Sequence, residues 1–441
     1  MQLCMINFNR IKNSVNNTHL KVILYNYFIT GFTILINLLL IPLLLSVLGK
    51  ERFGVWQTIL SIISIVSLLN FGLGNGLRNL ITKLKVRGEK SSENSIGAAI
   101  GATFVRISKI VGFSSLILIP VTYFFLNPNF LFSNVNISGF EIKYSLLIFL
   151  FFFLINIILG LSNSISFGLQ KSYLTGLRQF LYLLLCYIII YVTSRFVKIN
   201  LINVSLIFGF IQSLTFLFFI FYQNIKYNLS ITFFENFDLK ETSSLSFKFF
   251  LAQGLTLIFL SIDNFVISSI LGPNDTAEYS IVNKIYFTII SIFSVLLIHF
   301  WNSVTEAFEK KELKWIFSTL KILYVVAFIF FLISLGIAFF QKSIINLWLG
   351  KNSFHISSST FYLFAIYTFF HCLNAIFVNI QNGLGYLKIQ IYSMIFMLLL
   401  YGLGCYFIDI KHHGYIAIIL LKLVIMGFLA LINATILFKL K

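Results

Sequence analysis

Hydrophobic residues arrive in runs of about twenty, set apart by short polar connections, from near residue 20 to residue 438. A helix rises about 1.5 Å per residue and needs about 20 apolar residues to cross the roughly 30 Å hydrocarbon core of a bilayer. The runs predict twelve spans, at about 20–48, 53–77, 96–126, 141–166, 173–194, 201–222, 245–271, 277–304, 315–340, 357–383, 388–409 and 414–438. Pro42 and Pro120 fall inside the first and third, where a missing N–H and a ring clash predict a kinked or terminated helix. The longest polar connections, about 78–95, 127–140 and 223–244, are too short to fold as independent domains. Any chemistry is therefore expected inside the helical bundle.

Polar positions within the spans are patterned. Gln57, Ser61, Ser64, Ser67, Gly74 and Arg78 follow at helical steps and share one face of the second span. A helix surrounded by lipid has no use for such a face, whereas a helix lining a wet cavity does. Asp263 sits mid-span with Gln253 and Thr256 on its face, and the eighth span carries Ser280, Lys284, Thr288, Ser291, His299, Asn302 and Glu306. A mid-span charge costs about 3 kcal/mol or more, so Asp263 is expected to face the interior with a partner, for which Lys284 is the nearest candidate in sequence. Arg78, Arg106, Lys248, Lys284 and Lys422 lie in or near spans, where each either snorkels to the interface or meets a phosphate.

Composition fits this picture. The 441 residues are 59% hydrophobic and 10% charged, where soluble domains carry about 25% charged residues. The formal net charge of +18 does not indicate nucleic acid, because the Lys and Arg sit mainly in connections. With the N-terminus placed inside, basic residues on inside segments outnumber those on outside segments by more than two to one, which predicts both termini in the cytoplasm. The stretch Met1 to Asn17 lacks a signal-peptide core, so the first span is expected to act as its own uncleaved insertion signal. Cys4, Cys186, Cys372 and Cys405 have no metal or redox spacing and read as small buried hydrophobes.

A faint repeat runs through the chain. Leu48-Gly49, Gly54 and Trp56 are echoed 223 residues later by Leu271-Gly272, Ala277 and Tyr279, and a second echo, at its own spacing, pairs Gly168-Leu169 with Gly383-Leu384. These echoes suggest two parallel halves of six spans, 1–222 and 223–441. Gly72-Leu-Gly74-Asn-Gly76 follows no strand, so it is not a dinucleotide loop. His371 and the adjacent His412 and His413 lack the company of metal ligands, and no catalytic constellation is visible.

The pattern Leu48-Gly-x-x-x-Phe53-Gly-Val-Trp56, followed by Asn70-Phe-Gly-Leu-Gly-Asn-Gly-Leu-Arg78, resembles the second-span signature of Wzx-type polysaccharide flippases. These belong to the multidrug, oligosaccharidyl-lipid and polysaccharide exporter superfamily. Asp263-Asn-Phe-Val-Ile-Ser-Ser-Ile-Leu-Gly272, then Ala277-Glu-Tyr-Ser, resembles its seventh and eighth spans. The resemblance implies an all-α, MATE-like integral membrane protein of two pseudo-symmetric six-helix bundles. It implies a non-enzymatic translocator of undecaprenyl-pyrophosphate-linked repeat units, from cytoplasmic to periplasmic leaflet of the bacterial inner membrane, by alternating access. Arg78, Arg106, Lys248, Lys284, Asn70 and Asn75 are then expected to bind substrate, and Asp263, His299 and Glu306 to couple to H+ or Na+ or to gate. Membrane lipids, a polymerase and a chain-length regulator are the implied partners, and no cofactor or metal is expected. Three other readings stay open: a drug or cation antiporter of the same fold, an O-antigen polymerase, and a passive scramblase.

Overall fold

In a computed structural model, residues 17–70, 72–87, 92–125, 127–232, 243–350, 356–384 and 386–436 are described. They are helical, with no strand among them. In chain order the helices are α1 (Asn17–Val66), α2 (Leu73–Arg87), α3 (Ser92–Phe125), α4 (Pro128–Leu131), α5 (Gly139–Leu159), α6 (Leu161–Gly168), α7 (Tyr173–Thr193) and α8 (Leu201–Lys226). They continue with α9 (Ser243–Ile270), α10 (Pro273–Glu309), α11 (Leu313–Phe339), α12 (Gln341–Leu349), α13 (Ser358–Leu384), α14 (Leu387–Phe407), α15 (Ile410–His413) and α16 (Tyr415–Ala434).

Eleven stretches among the described residues are long and apolar enough to cross a membrane. The first, Phe28–Leu69, has 42 residues, about 63 Å of helix, which is twice a bilayer core. Gly49 breaks it with φ 76° and ψ 170°, a left-handed conformation that glycine adopts without strain, so α1 supplies two spans. Pro42 and Pro120 do not end their helices: α1 and α3 continue past them. Elsewhere local chemistry fixes the boundaries. Asn200 caps α8 by accepting from Asn203 N–H at 3.0 Å, while Asn203 Oδ1 accepts from Asn200 N–H at 3.3 Å.

The helices form two compact units. One takes in the chain to Val47, Leu69–Phe125 and Lys143–Ser246, and the other Leu48–Leu68, Leu126–Ile142 and Phe247–Lys441. In the first, α2 packs on α3 and α6, and α7 on α8. In the second, α13 is central, packed against α10, α11 and α16. Phe293, Leu297, Ile316, Leu320, Cys372, Ile376 and Ile380 fill the core between α10, α11 and α13. Large apolar side chains face outward along many helices, as with Phe218, Phe221 and Ile225 on α8 and Val325, Phe328 and Leu332 on α11. Such a surface is adapted to acyl chains.

The sequence echo has a physical basis. A Cβ on Gly168 would lie 3.0 Å from the Arg78 carbonyl oxygen and 2.7 Å from Ile81 Cβ. One on Gly383 would lie 3.1 Å from the Trp301 carbonyl oxygen and 2.9 Å from Val304 Cγ1. Trp301 and Val304 follow Arg78 and Ile81 by the same 223 residues that relate the echoed motifs. Each unit thus uses a glycine at the equivalent place to let two helices meet. Close approach recurs at Gly54, where a Cβ would sit 1.8 Å from the Pro273 carbonyl oxygen. Gly54→Ala is expected to cost about 1–3 kcal/mol and lower the melting temperature in detergent. Gly31→Ala, with nothing within 4 Å of its added Cβ, is expected to leave melting unchanged or raise it.

Candidate functional site

The second unit encloses a cavity of about 620 Å³. Its walls come from the part of α1 after Gly49, and from α9, α10, α13, α14 and α16. Nine of the described lining side chains are amides: Gln57, Gln253, Asn264, Asn283, Asn374, Asn379, Asn382, Gln390 and Asn433. Ser64, Thr256, Ser261, Ser280 and Tyr367 add hydroxyls, and Lys284, Lys422 and His371 are the titratable bases. No carboxylate is among the described lining residues. An amide without a partner costs about 1–3 kcal/mol when dry, so such a wall calls for water or a polar ligand.

The first part of the polar face anticipated on the second span packs here, whereas the helix ends at Val66 and Gly74 and Arg78 lie on α2 in the first unit. Gln57 and Ser64 line the cavity. Ser64 Oγ donates to Ser261 Oγ at 2.8 Å, Asn264 Nδ2 donates to Ser61 Oγ at 2.8 Å, and Ser280 Oγ donates to Asn264 Oδ1 at 3.0 Å. These bonds tie α1, α9 and α10 into one wall. Across the cavity a ladder of amides joins α13 to α16: Gln381 Nε2 donates to Asn433 Oδ1 at 3.0 Å, and Asn433 Nδ2 to Asn374 Oδ1 at 2.7 Å. The side chains of Asn283, Asn382 and Lys284 have no hydrogen-bond or ion-pair partner among the described residues and remain available to a guest.

Behind this wall lies a closed charge cluster. Asp263, 1% exposed, accepts on Oδ1 from Tyr401 OH at 2.8 Å, and on Oδ2 from both Tyr279 OH and the Lys422 ammonium. The three donors come from α14, α10 and α16, so one carboxylate fastens four helices. Lys422 also lies over the Phe259 ring, 4.8 Å from its centroid. The cation that pairs with Asp263 is Lys422, 159 residues away in sequence, and not Lys284. Two further ion pairs in this unit lie near the break at Gly49. Lys50 meets Glu278 at 2.6 Å, and Arg52 grips Glu141 with two bonds of 2.9 and 3.1 Å.

Of the residues expected to bind substrate, Lys284 lines the cavity. Arg78 and Arg106 belong to the first unit, on α2 and α3. There Arg78 is exposed, with its guanidinium 4.9 Å from the Phe167 ring centroid. The side chains of Asn70, Asn75, Lys248, His299 and Glu306 lie outside the described residues. Sequence reasoning missed the role of Lys422 and the amides of α13, α14 and α16. Asn374, Asn379 and Asn382 inside one apolar run were the available signal.

Comparison with solved structures matches this arrangement to known transporters. An inward-facing multidrug resistance MATE family transporter of the MOP superfamily superposes with a TM-score of 0.70 at 14% identity, covering 92% of this chain and 95% of that one. The fold is that of the MATE transporters. The lipid II flippase MurJ in an inward closed conformation shares it, with a TM-score of 0.68 at 15% identity over 94% of this chain and 87% of that one. In sequence, the chain is 25% identical over 379 residues to a Salmonella typhimurium protein named "Putative O-antigen transporter", covering 80% of this chain and 81% of that one. No protein-family model matches the chain. This is a multi-pass membrane protein with homologues among transporters.

Within this MATE fold the buried pair tells its two partners apart. Lys422→Met leaves the buried Asp263 carboxyl without its cation, and is expected to cost about 3–5 kcal/mol. Asp263→Asn is expected to cost less, because Lys422 borders the cavity. The double variant is expected to recover most of the stability lost by Lys422→Met, as measured by thermal unfolding in detergent.

Proposed function

We propose that this chain is a flippase for lipid-linked oligosaccharides, moving undecaprenyl-pyrophosphate-linked repeat units from the cytoplasmic to the periplasmic leaflet of the bacterial inner membrane, with both termini cytoplasmic. The observation that carries the reading is the cavity wall: among its described residues are nine amides, five hydroxyls and an unpaired lysine, and no carboxylate. Sugar hydroxyls cannot enter hydrocarbon without losing their water partners, and amides replace those partners on both the donor and acceptor side. Lys284 supplies the countercharge for a phosphate. The names carried by the O-antigen relative and by MurJ point the same way.

Export of cationic drugs fits less well. A cation-accepting chamber is expected to present a carboxylate, and here Asp263 is held behind Lys422 while Glu141 and Glu278 are paired with Arg52 and Lys50. The transporter homologues favour translocation over polymerase chemistry, and the cavity contains no paired-carboxylate or nucleophile–base arrangement among its described lining residues.

Deletion of the gene is expected to accumulate lipid-linked single repeat units on the cytoplasmic leaflet, detected by lipid extraction and by sugar-specific labelling of oriented vesicles. Accumulation on the periplasmic leaflet would instead indicate a polymerase. Lys284→Ala is expected to lower surface glycan about tenfold or more at equal protein level, since a charge-assisted bond is worth about 1.5–3 kcal/mol. Unchanged glycan in that variant would remove Lys284 from the mechanism.

A further inference from the structure

The cavity holds two ammonium groups in different states. Lys284 is free of carboxylates, whereas Lys422 lines the same cavity while its ammonium is bound to Asp263 behind the wall. Lys422 therefore stands between an internal anion and any anion that enters the chamber. The expectation that Asp263 holds a coupling cation meets an obstacle here. Tyr401 occupies Oδ1, and Tyr279 and Lys422 share Oδ2, so a sodium ion would find this carboxylate already engaged by three donors. The ammonium is the resident cation of the site.

We propose that Lys422 is a second anion-binding group, held in reserve by Asp263, and that a dianionic headgroup such as a diphosphate draws it into the cavity as Asp263 takes up a proton. This deepens the flippase reading and rests on it for the identity of the cargo. The exchange balances: one Lys422–Asp263 ion pair is lost, one Lys422–ligand ion pair forms, and the carboxylate left without its cation takes one proton supplied by the bulk buffer through the cavity, the buffer being left as its conjugate base. Without the proton, a bare carboxylate would remain in a low-dielectric interior, a strongly unfavourable state. Binding of the anion and uptake of the proton are therefore linked, with each favouring the other.

The groups facing Asp263 leave it as the best acceptor. Tyr279 from α10 and Tyr401 from α14 donate to it. Cys405 from α14 and Tyr367 from α13 lie near enough to feel its charge. His371 from α13 faces Lys422 and is the competing base among the described groups. The phenols and the thiol lose protons only in the alkaline range and take none up near neutrality. His371 is separated from Asp263 by mutation.

The test uses the full chain, purified into nanodiscs of phosphatidylcholine, with inorganic pyrophosphate and a polyprenyl diphosphate as probes. Calorimetry in two buffers of different ionisation enthalpy counts the protons exchanged on binding. Wild type is expected to take up close to one proton more than Asp263→Asn, and its affinity to fall towards tenfold per pH unit above neutrality, the limit for one linked proton. Asp263→Asn, in which Lys422 is released permanently, is expected to bind at pH 8 at least tenfold more tightly than wild type. Lys422→Gln is expected to bind weakly and without that pH dependence. Extra proton uptake with both probes indicates recognition of the diphosphate itself, and uptake with the polyprenyl form alone indicates a requirement for the lipid; either supports the exchange. Equal proton counts in wild type and Asp263→Asn overturn it, because His371 or the ligand would then be the acceptor. Should Asp263→Asn not fold, the comparison of wild type with Lys422→Gln carries the test, and identical pH dependence in those two overturns the proposal. Proton-linked binding without accumulation of lipid-linked repeat units on gene deletion would keep the exchange and remove the glycan lipid as its cargo.

Discussion

A polar group inside a bilayer must find its partner within the protein, and the second unit is arranged around that constraint. Asp263 is a mid-span charge only 1% exposed, and three donors from three other helices meet it. Fastening α9, α10, α14 and α16 at one carboxylate holds apart the helix faces that bear the amides. The cavity is the space those faces enclose, so the chamber and the buried pair belong to one design.

The sequence carried much of this architecture. Hydropathy alone located the spans, because a long apolar run has few alternatives to crossing lipid. Gly49 sits where the first two predicted spans part, and it is the break in α1. Of the stripe read from Gln57 to Arg78, Gln57, Ser61 and Ser64 belong to the cavity wall because helical spacing fixes which residues share a side, whereas Gly74 and Arg78 lie past the end of that helix, on α2 in the first unit. The echo between Gly168 and Gly383 was visible as a repeat, and its physical content is the close approach of equivalent helices.

What stayed hidden was pairing through space. Periodicity assigns Asp263 to a face but cannot say which of several distant helices lies opposite, and Lys422 is 159 residues away. Lys422 read as a side chain that either snorkels or meets a phosphate, yet it is 5% exposed and ion-paired to a carboxylate. The amides of α13 were obscured by the Phe and Ile around them, which fill the core on the opposite side of the same helix. Pro42 and Pro120 were expected to kink or end their helices, and both helices run on past them.

The central claim is that the second unit holds a water-filled chamber lined by amides. Its most direct test is aqueous labelling. Asn283→Cys and Asn382→Cys, each in a chain whose native cysteines are replaced, would be exposed to a membrane-impermeant maleimide in right-side-out and inverted vesicles, with Val325→Cys and Leu332→Cys as lipid-facing references. Rapid labelling of both cavity positions from at least one side, with the references inert, is the predicted result. Cavity positions as unreactive as Leu332→Cys would contradict the account.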